Sequence, residues 1–118
     1  MKISTVKLKS LNLEIWRHNF EPDGEKTMTV SNAIQDLEKL GEKSGLEWRL
    51  PSYTEMSIIS GLMDIGILDD TPTTQEDYWT SFEDPDYEGY HGAFSFGDKS
   101  FYSRFDNEML YVRPVRTI

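Results

Sequence analysis

Leu11, Leu13 and Ile15 alternate with Asn12, Glu14 and Trp16, the two-residue period of a half-buried strand. Val6 and Leu8 begin the same alternation slightly earlier. The period then changes. From Val30 onward apolar residues recur at Ala33, Ile34, Leu37 and Leu40, the spacing of a helix stripe, and Thr29 is placed to cap the first turn. Gly41 and Gly45 bracket its end, where a left-handed residue costs least. Between strand and helix, Glu21-Pro22-Asp23-Gly24-Glu25 reads as a turn.

A second helix is predicted after Pro51. Ser52 followed three residues later by Glu55 is a capping box, in which each side chain satisfies an orphan amide near the helix start. Pro51 and Met56 fall at the staple positions on either side of the cap, and Met56, Ile59, Leu62 and Met63 supply the buried stripe. The run ends between Gly61 and Gly66. Beyond it, short strands are expected at about 77–82, 92–97, 100–105 and 109–115. Asp84-Pro85-Asp86, Gly89, Gly92, Gly97 and Asp106-Asn107 provide the breaks. Strands, two helices and then several strands indicate an α+β fold with an antiparallel sheet.

The chain has 118 residues, the size of one domain, so a single domain over 1–118 is expected. Fifteen aromatic residues point to a sizeable core. There is no cysteine, hence no disulfide framework, thiolate metal site or cysteine nucleophile. Met1 to Leu8 lack the continuous apolar run of a signal peptide, and no segment approaches the ~20 apolar residues of a membrane span. A soluble, cytoplasmic or phage-borne protein without a membrane partner is the expectation.

Charge sharpens this picture. Residues 1–49 carry eight basic and eight acidic side chains, residues 50–98 eleven acidic and no Lys or Arg, and residues 99–118 four basic and two acidic. The net charge of −9 thus arises in one stretch. Such a field repels phosphates and anionic membranes and attracts cations or basic proteins, which argues against direct nucleic-acid binding.

Three segments carry a resemblance: Trp48-Arg49-Leu50-Pro51-Ser52-Tyr53-Thr54-Glu55-Met56, Tyr78-Trp79-Thr80-Ser81, and Val112-Arg113-Pro114-Val115-Arg116. With the stretch Ala93 to Gly97, and Leu13-Glu14-Ile15-Trp16 before the first helix, their order resembles the DUF1566 or Lcl C-terminal domain family. The resemblance covers nearly the whole chain from about Leu11. It implies a C-type-lectin-like architecture, with two helices flanking a curved antiparallel sheet and the chain ends close together. That fold is related to the formylglycine-generating sulfatase-modifying domains. Family members are commonly recognition modules, often on exported proteins, and this chain departs from them in lacking an export signal.

The motif residues also have structural uses. Trp48, Leu50, Tyr78 and Trp79 read as core, and Arg49, Arg113 and Arg116 as guanidinium clamps on carboxylates or carbonyls. In the functional alternative, Arg113 and Arg116 form a basic patch for an acidic glycan. His18 and His91 read as surface residues, far apart and without a nearby nucleophile or metal-ligand spacing. No catalytic residue emerges, and the copper-dependent oxidases of related fold rely on a cysteine pair absent here. The signatures of a lectin calcium site are missing, so no cofactor or metal is expected beyond weak calcium binding by the acidic stretch.

The best candidate for a working surface is the segment Phe82 to His91, with Glu83, Asp84, Asp86, Tyr87, Glu88 and Tyr90 as its binding residues, because loop tyrosines offer a large amphipathic contact at low entropic cost; the alternative is a solvated hairpin loop with its tyrosines lying on the sheet. The function expected from it is non-enzymatic recognition of a protein or glycan without obligatory calcium. The alternative is a small acidic inhibitor or decoy, phage-encoded, that occupies a basic site on a host nucleic-acid enzyme. A structural subunit that forms a homo-oligomer is the third arrangement.

Overall fold

Alternating and helical segments assemble in the order β1 (Thr5–Leu8), β2 (Leu13–Trp16), α1 (Val30–Ser44), α2 (Tyr53–Asp64), β3 (Asp77–Glu83), β4 (Tyr90–Ser95), β5 (Ser100–Phe105) and β6 (Val115–Thr117). The computed structural model describes residues 3–72 and 76–118. The architecture is α+β, with two antiparallel sheets of three strands, ordered β1-β2-β6 and β3-β4-β5, in place of the single curved sheet expected. Both terminal strands pair with β2, so the two ends of the chain share one sheet. No helix among the described residues is long and apolar enough to cross a membrane.

Capping chemistry sets both helices. Thr29 accepts the amide of Asn32 at the start of α1, and Gly45 ends it at φ 73°, donating to the Gly41 carbonyl. Gly41, expected to share this terminating role, lies inside the helix. Ile34, expected on the buried stripe, is left exposed. At α2 the capping box forms as read, with Ser52 accepting the Glu55 amide and Glu55 accepting the Ser52 amide. Glu55 also takes a bidentate pair from Arg49 at 2.7 and 2.9 Å, and Arg49 reaches on to Thr117 Oγ1. One carboxylate therefore caps a helix and ties it to β6.

The core forms two clusters. Trp16, Phe20, Trp48, Leu50, Trp79 and Val112 pack with Ala33 and Leu37 of α1, while Leu13, Ile15, Tyr78, Phe94 and Val115 pack with Met56, Ile59 and Met63 of α2. Because β2 feeds both clusters, all four of its residues are buried, not the half that alternation predicts. Glu14 tolerates burial by accepting Thr5 Oγ1 at 2.5 Å and Arg116 Nε at 2.6 Å.

The segment expected as one strand at 109–115 behaves differently. Leu110 bridges to Met28, Tyr111 bridges in parallel to Tyr78, and only from Val115 does the chain join β2. Pro114 has no N–H to continue a ladder, but its carbonyl accepts the Trp16 amide. Between these bridges lies Arg113, fully shielded from solvent. Its Nη1 donates to the carbonyls of Trp16 and Arg17, at 3.3 and 2.6 Å, and its Nη2 to that of Asp69 at 2.7 Å. Burial pushes its pKa down from the ordinary arginine value, opposed by Tyr78 and by the charges of Asp70 and Asp69.

Replacing Arg113 with Lys retains the charge but loses the fork that reaches all three carbonyls. Arg113→Lys is expected to lower stability by about 3 kcal/mol or more, read as a shift in the urea midpoint at unchanged slope.

Acid should act through two carboxylates. Glu55 is held below the ordinary glutamate value of 4.5 chiefly by its hydrogen bonds from Arg49. For Glu14, burial pushes the pKa up, but the bonds from Thr5 and Arg116 and the charges of Arg116 and Lys7 outweigh it, so the net direction is also down. Groups with depressed folded-state values contribute stability that is complete above 4.5 and is lost as pH falls through those values. A Glu14→Gln, Glu55→Gln double variant should be less stable than the parent at neutral pH by about 1.5–3 kcal/mol, with a shallower decline below pH 4.5 in thermal melts.

Candidate functional site

Three residues of β3, Thr80 to Phe82, bulge out opposite Gly92 where the register shifts between Trp79 and Glu83. Thr80 Oγ1 holds the bulge by donating to the Gly92 carbonyl at 2.9 Å and accepting the Phe82 amide at 3.3 Å, and the Ser81 amide anchors it to Pro51. A bulge of this kind re-aims side chains. Here it brings Phe82 against Tyr53 of α2, with ring centroids 5.0 Å apart, and Tyr53 stacks on Phe101 of β5 at 4.1 Å. Gly92 was expected to break a strand. It lies inside β4, and glycine is required there by close approach: a Cβ would meet the Tyr53 hydroxyl at 2.6 Å and Thr80 Oγ1 and Phe82 Cβ at 2.9 Å.

The loop from β3 to β4 lies beside this aromatic cluster. Tyr87 is 62% exposed and packs edge-on against Tyr90, which rests on Phe105 of β5 at 4.5 Å. Asp84 folds the loop by accepting the Asp86 amide, and joins it to β5 by accepting Ser103 Oγ at 3.0 Å. Its charge adds to burial in raising the pKa of Tyr53. Glu83, Asp86 and Glu88 are exposed, and no described residue pairs with their carboxylates. The loop reading thus divides into Asp84, Tyr87 and Tyr90, which join the aromatic surface, and Glu83, Asp86 and Glu88, which border it.

Phe82 opens the segment read as a working surface, but three contributors lay outside it: Phe101 and Phe105, and Tyr102 on the opposite face of β5. Their signal lay in the run Phe101-Tyr102-Ser103-Arg104-Phe105, where a strand meant for solvent has one charged side chain. On the Tyr102 side a cleft of about 480 Å³ is lined by Glu76, Asp77, Asp98, Tyr102, Arg104 and Tyr111. Arg104 pairs with Asp77 at 2.6 Å, and the Tyr102 hydroxyl donates to Asp98, lowering the carboxyl pKa and raising the phenol's.

The remaining sequence readings resolve as scaffold. Trp48, Leu50, Tyr78 and Trp79 are buried, with the Tyr78 hydroxyl donating to Asn19 and the Trp79 indole to the Met28 carbonyl. Arg113 and Arg116 form no basic patch, since the first is buried on carbonyls and the second pairs with Glu14. His18 is half-exposed near Asp69 and Asp70. His91 is not a surface residue. It is buried against Trp79, with Nε2 2.6 Å from the Thr80 carbonyl, because β4 has both faces covered at this point. Among the described residues no group of three or more His, Asp or Glu is arranged to hold a metal ion.

Gly92→Ala places a methyl group where the bulge and Tyr53 already meet. A loss of about 1–3 kcal/mol is expected by urea titration, with the aromatic ring resonances of Tyr53 and Phe82 displaced in NMR spectra.

No family model matches the chain, and no curated protein is significantly similar to it, so the chemistry of this surface has to be read from its own residues.

Proposed function

We propose that the chain is a non-enzymatic recognition domain that binds a protein partner through the β3–β4 loop and the adjoining aromatic surface, without obligatory calcium. The observation that carries this reading is the series Tyr87, Tyr90 and Phe105, each ring packed against the next at the surface, with the carboxylates of Glu83, Asp86 and Glu88 beside it. Aromatic rings held by their neighbours give contact area without much loss of side-chain freedom, the property of binding hot spots. Under the same reading the fold is C-type-lectin-like and of the DUF1566 kind. Two helices, chain ends on one sheet and a long loop between neighbouring strands support it. The shared motif residues serve the scaffold, which leaves the loop free to vary.

A second reading is favoured by the charge distribution alone. An acidic inhibitor that fills a basic site on a nucleic-acid enzyme needs unpaired carboxylates more than it needs tyrosines. Exposed charge pairs are screened by salt, whereas desolvated aromatic contacts are not.

The test is affinity capture from a host lysate, followed by titration of the identified partner. Replacing Tyr87 and Tyr90 with Ala should weaken binding at least about tenfold, the scale of a lost hot spot, and binding by the parent should survive a several-fold rise in ionic strength. Unchanged affinity in the double variant, with release at high salt, would transfer the assignment to the acidic inhibitor. A glycan captured in place of a protein would overturn the choice of partner.

A further inference from the structure

We propose that β5 is a strand-addition site, and that its occupant is an extended protein segment carrying basic side chains alternating with apolar ones. This deepens the recognition reading and rests on it. β5 ends the order β3-β4-β5, and no described strand lies along its outer side. At its C-terminal end the Phe105 amide donates to Glu108 Oε2 at 2.8 Å and the Phe105 carbonyl accepts the Glu108 amide at 3.0 Å, whereas the Asp106 amide turns inward to Gly89. Main-chain groups of a strand alternate in direction, so Phe101 and Ser103 direct theirs to the same outer side as Phe105. Glu108 closes the last of these positions and leaves the other two open.

Side chains around this edge specify what fits. A strand laid beside β5 meets Phe101, 37% exposed, and Phe105, 54% exposed, on one face, and Tyr102, 37% exposed, on the other. Natural edges of this kind are blunted by lysine, proline or a bulge, and none of these stands at Phe101 to Ser103. Charge then selects the sign of the partner. From Asp77 to Glu108 the chain has eight acidic residues and two basic ones. Both bases are engaged, Lys99 with Ser60, Asp64 and the Phe96 ring, and Arg104 with Asp77. Asp84 and Asp98, hydrogen-bonded to Ser103 and Tyr102, place a carboxylate on each face of the strand. A second copy of this chain brings the same acidic border and a net charge of −9, so like charges oppose edge-to-edge self-pairing. Main-chain hydrogen bonds supply affinity in strand addition and alternate side chains supply selectivity.

The probe is a displayed library of random short peptides, selected on the whole chain at low salt. Enriched peptides should combine Lys or Arg with alternating apolar residues, and binding should slow hydrogen exchange at the amides of Phe101 and Ser103. Ser103→Pro removes an outward amide while sparing the ladder to β4, a position where edge strands accept proline. It should weaken a selected peptide at least about tenfold. Ser103→Ala, which loses the bond to Asp84 and keeps the amide, should bind within about threefold of the parent. The proposal is overturned by enrichment of acidic peptides, by binding without protection of those two amides, or by equal binding to the proline and alanine variants. It is also overturned if light scattering shows a peptide-free dimer with both amides protected. An absence of enriched peptides, alongside partner capture that depends on Tyr87 and Tyr90, overturns strand addition and leaves the recognition reading standing. Loss of that capture while peptides still protect the edge does the reverse.

Discussion

A guanidinium with no solvent contact is an expensive thing to place inside a protein this small, and the fold is arranged around its two terminal nitrogens, although among the described residues Nε has no hydrogen-bond partner. Arg113 holds the carbonyls of Trp16, Arg17 and Asp69, so three segments distant in sequence meet at one side chain. Its flat fork serves several acceptors at once, which an ammonium on a flexible stem does not. The carboxylates of Asp69 and Asp70 lie near enough to oppose the cost of burial. Removing any of these partners would leave a buried charge or carbonyl unmatched, the kind of defect that costs several kcal/mol.

The short C-terminal segment built around that arginine joins the two sheets. Leu110 and Tyr111 exchange main-chain bonds with Met28 and with Asp77 and Trp79, and Val115 exchanges two with Arg49 before β6 docks on β2. Arg49 and Arg116 repeat the logic at lower burial, and each takes a carboxylate that also serves elsewhere. Glu55 caps α2, and Glu14 occupies a buried position of β2. The three arginines of the motifs are thus all used in connecting segments. The proposed binding surface draws on other residues of the same segments, Tyr53 and Thr80, together with the loop and β5.

That surface depends on the scaffold at one point, the bulge in β3 over Gly92. The missing side chain at Gly92 lets Thr80, Phe82 and Tyr53 converge, and the rings then continue through Phe101 on one side. Tyr90 and Phe105 extend the same face toward the loop. Placing these rings on strands and on a capped helix keeps them in fixed positions, which favours their use in the proposed binding.

Local chemistry was enough to determine much of this from sequence. Ser52 with Glu55, Thr29, and Gly45 set helix ends through bonds only a few residues long, so α1 and α2 could be read directly. The burial of Trp48, Tyr78 and Trp79 followed from their size and apolar neighbours, and the loop at Glu83 to Tyr90 from its turn residues. What depended on distant partners was not legible. Alternation in Leu13 to Trp16 indicates a strand but not that helices and loops cover both its faces, which buries Glu14, and the same holds for His91 in β4. Whether 109–115 forms a ladder, and whether β5 is an interior or an edge strand, is decided by which segments lie alongside, and these can be distant in sequence: Glu14 and Arg116 pair across 102 residues. Capping and periodicity are written in neighbouring residues. Pairing, double-sided burial and an open edge belong to the assembled chain, because each is a relation between surfaces that only folding brings together.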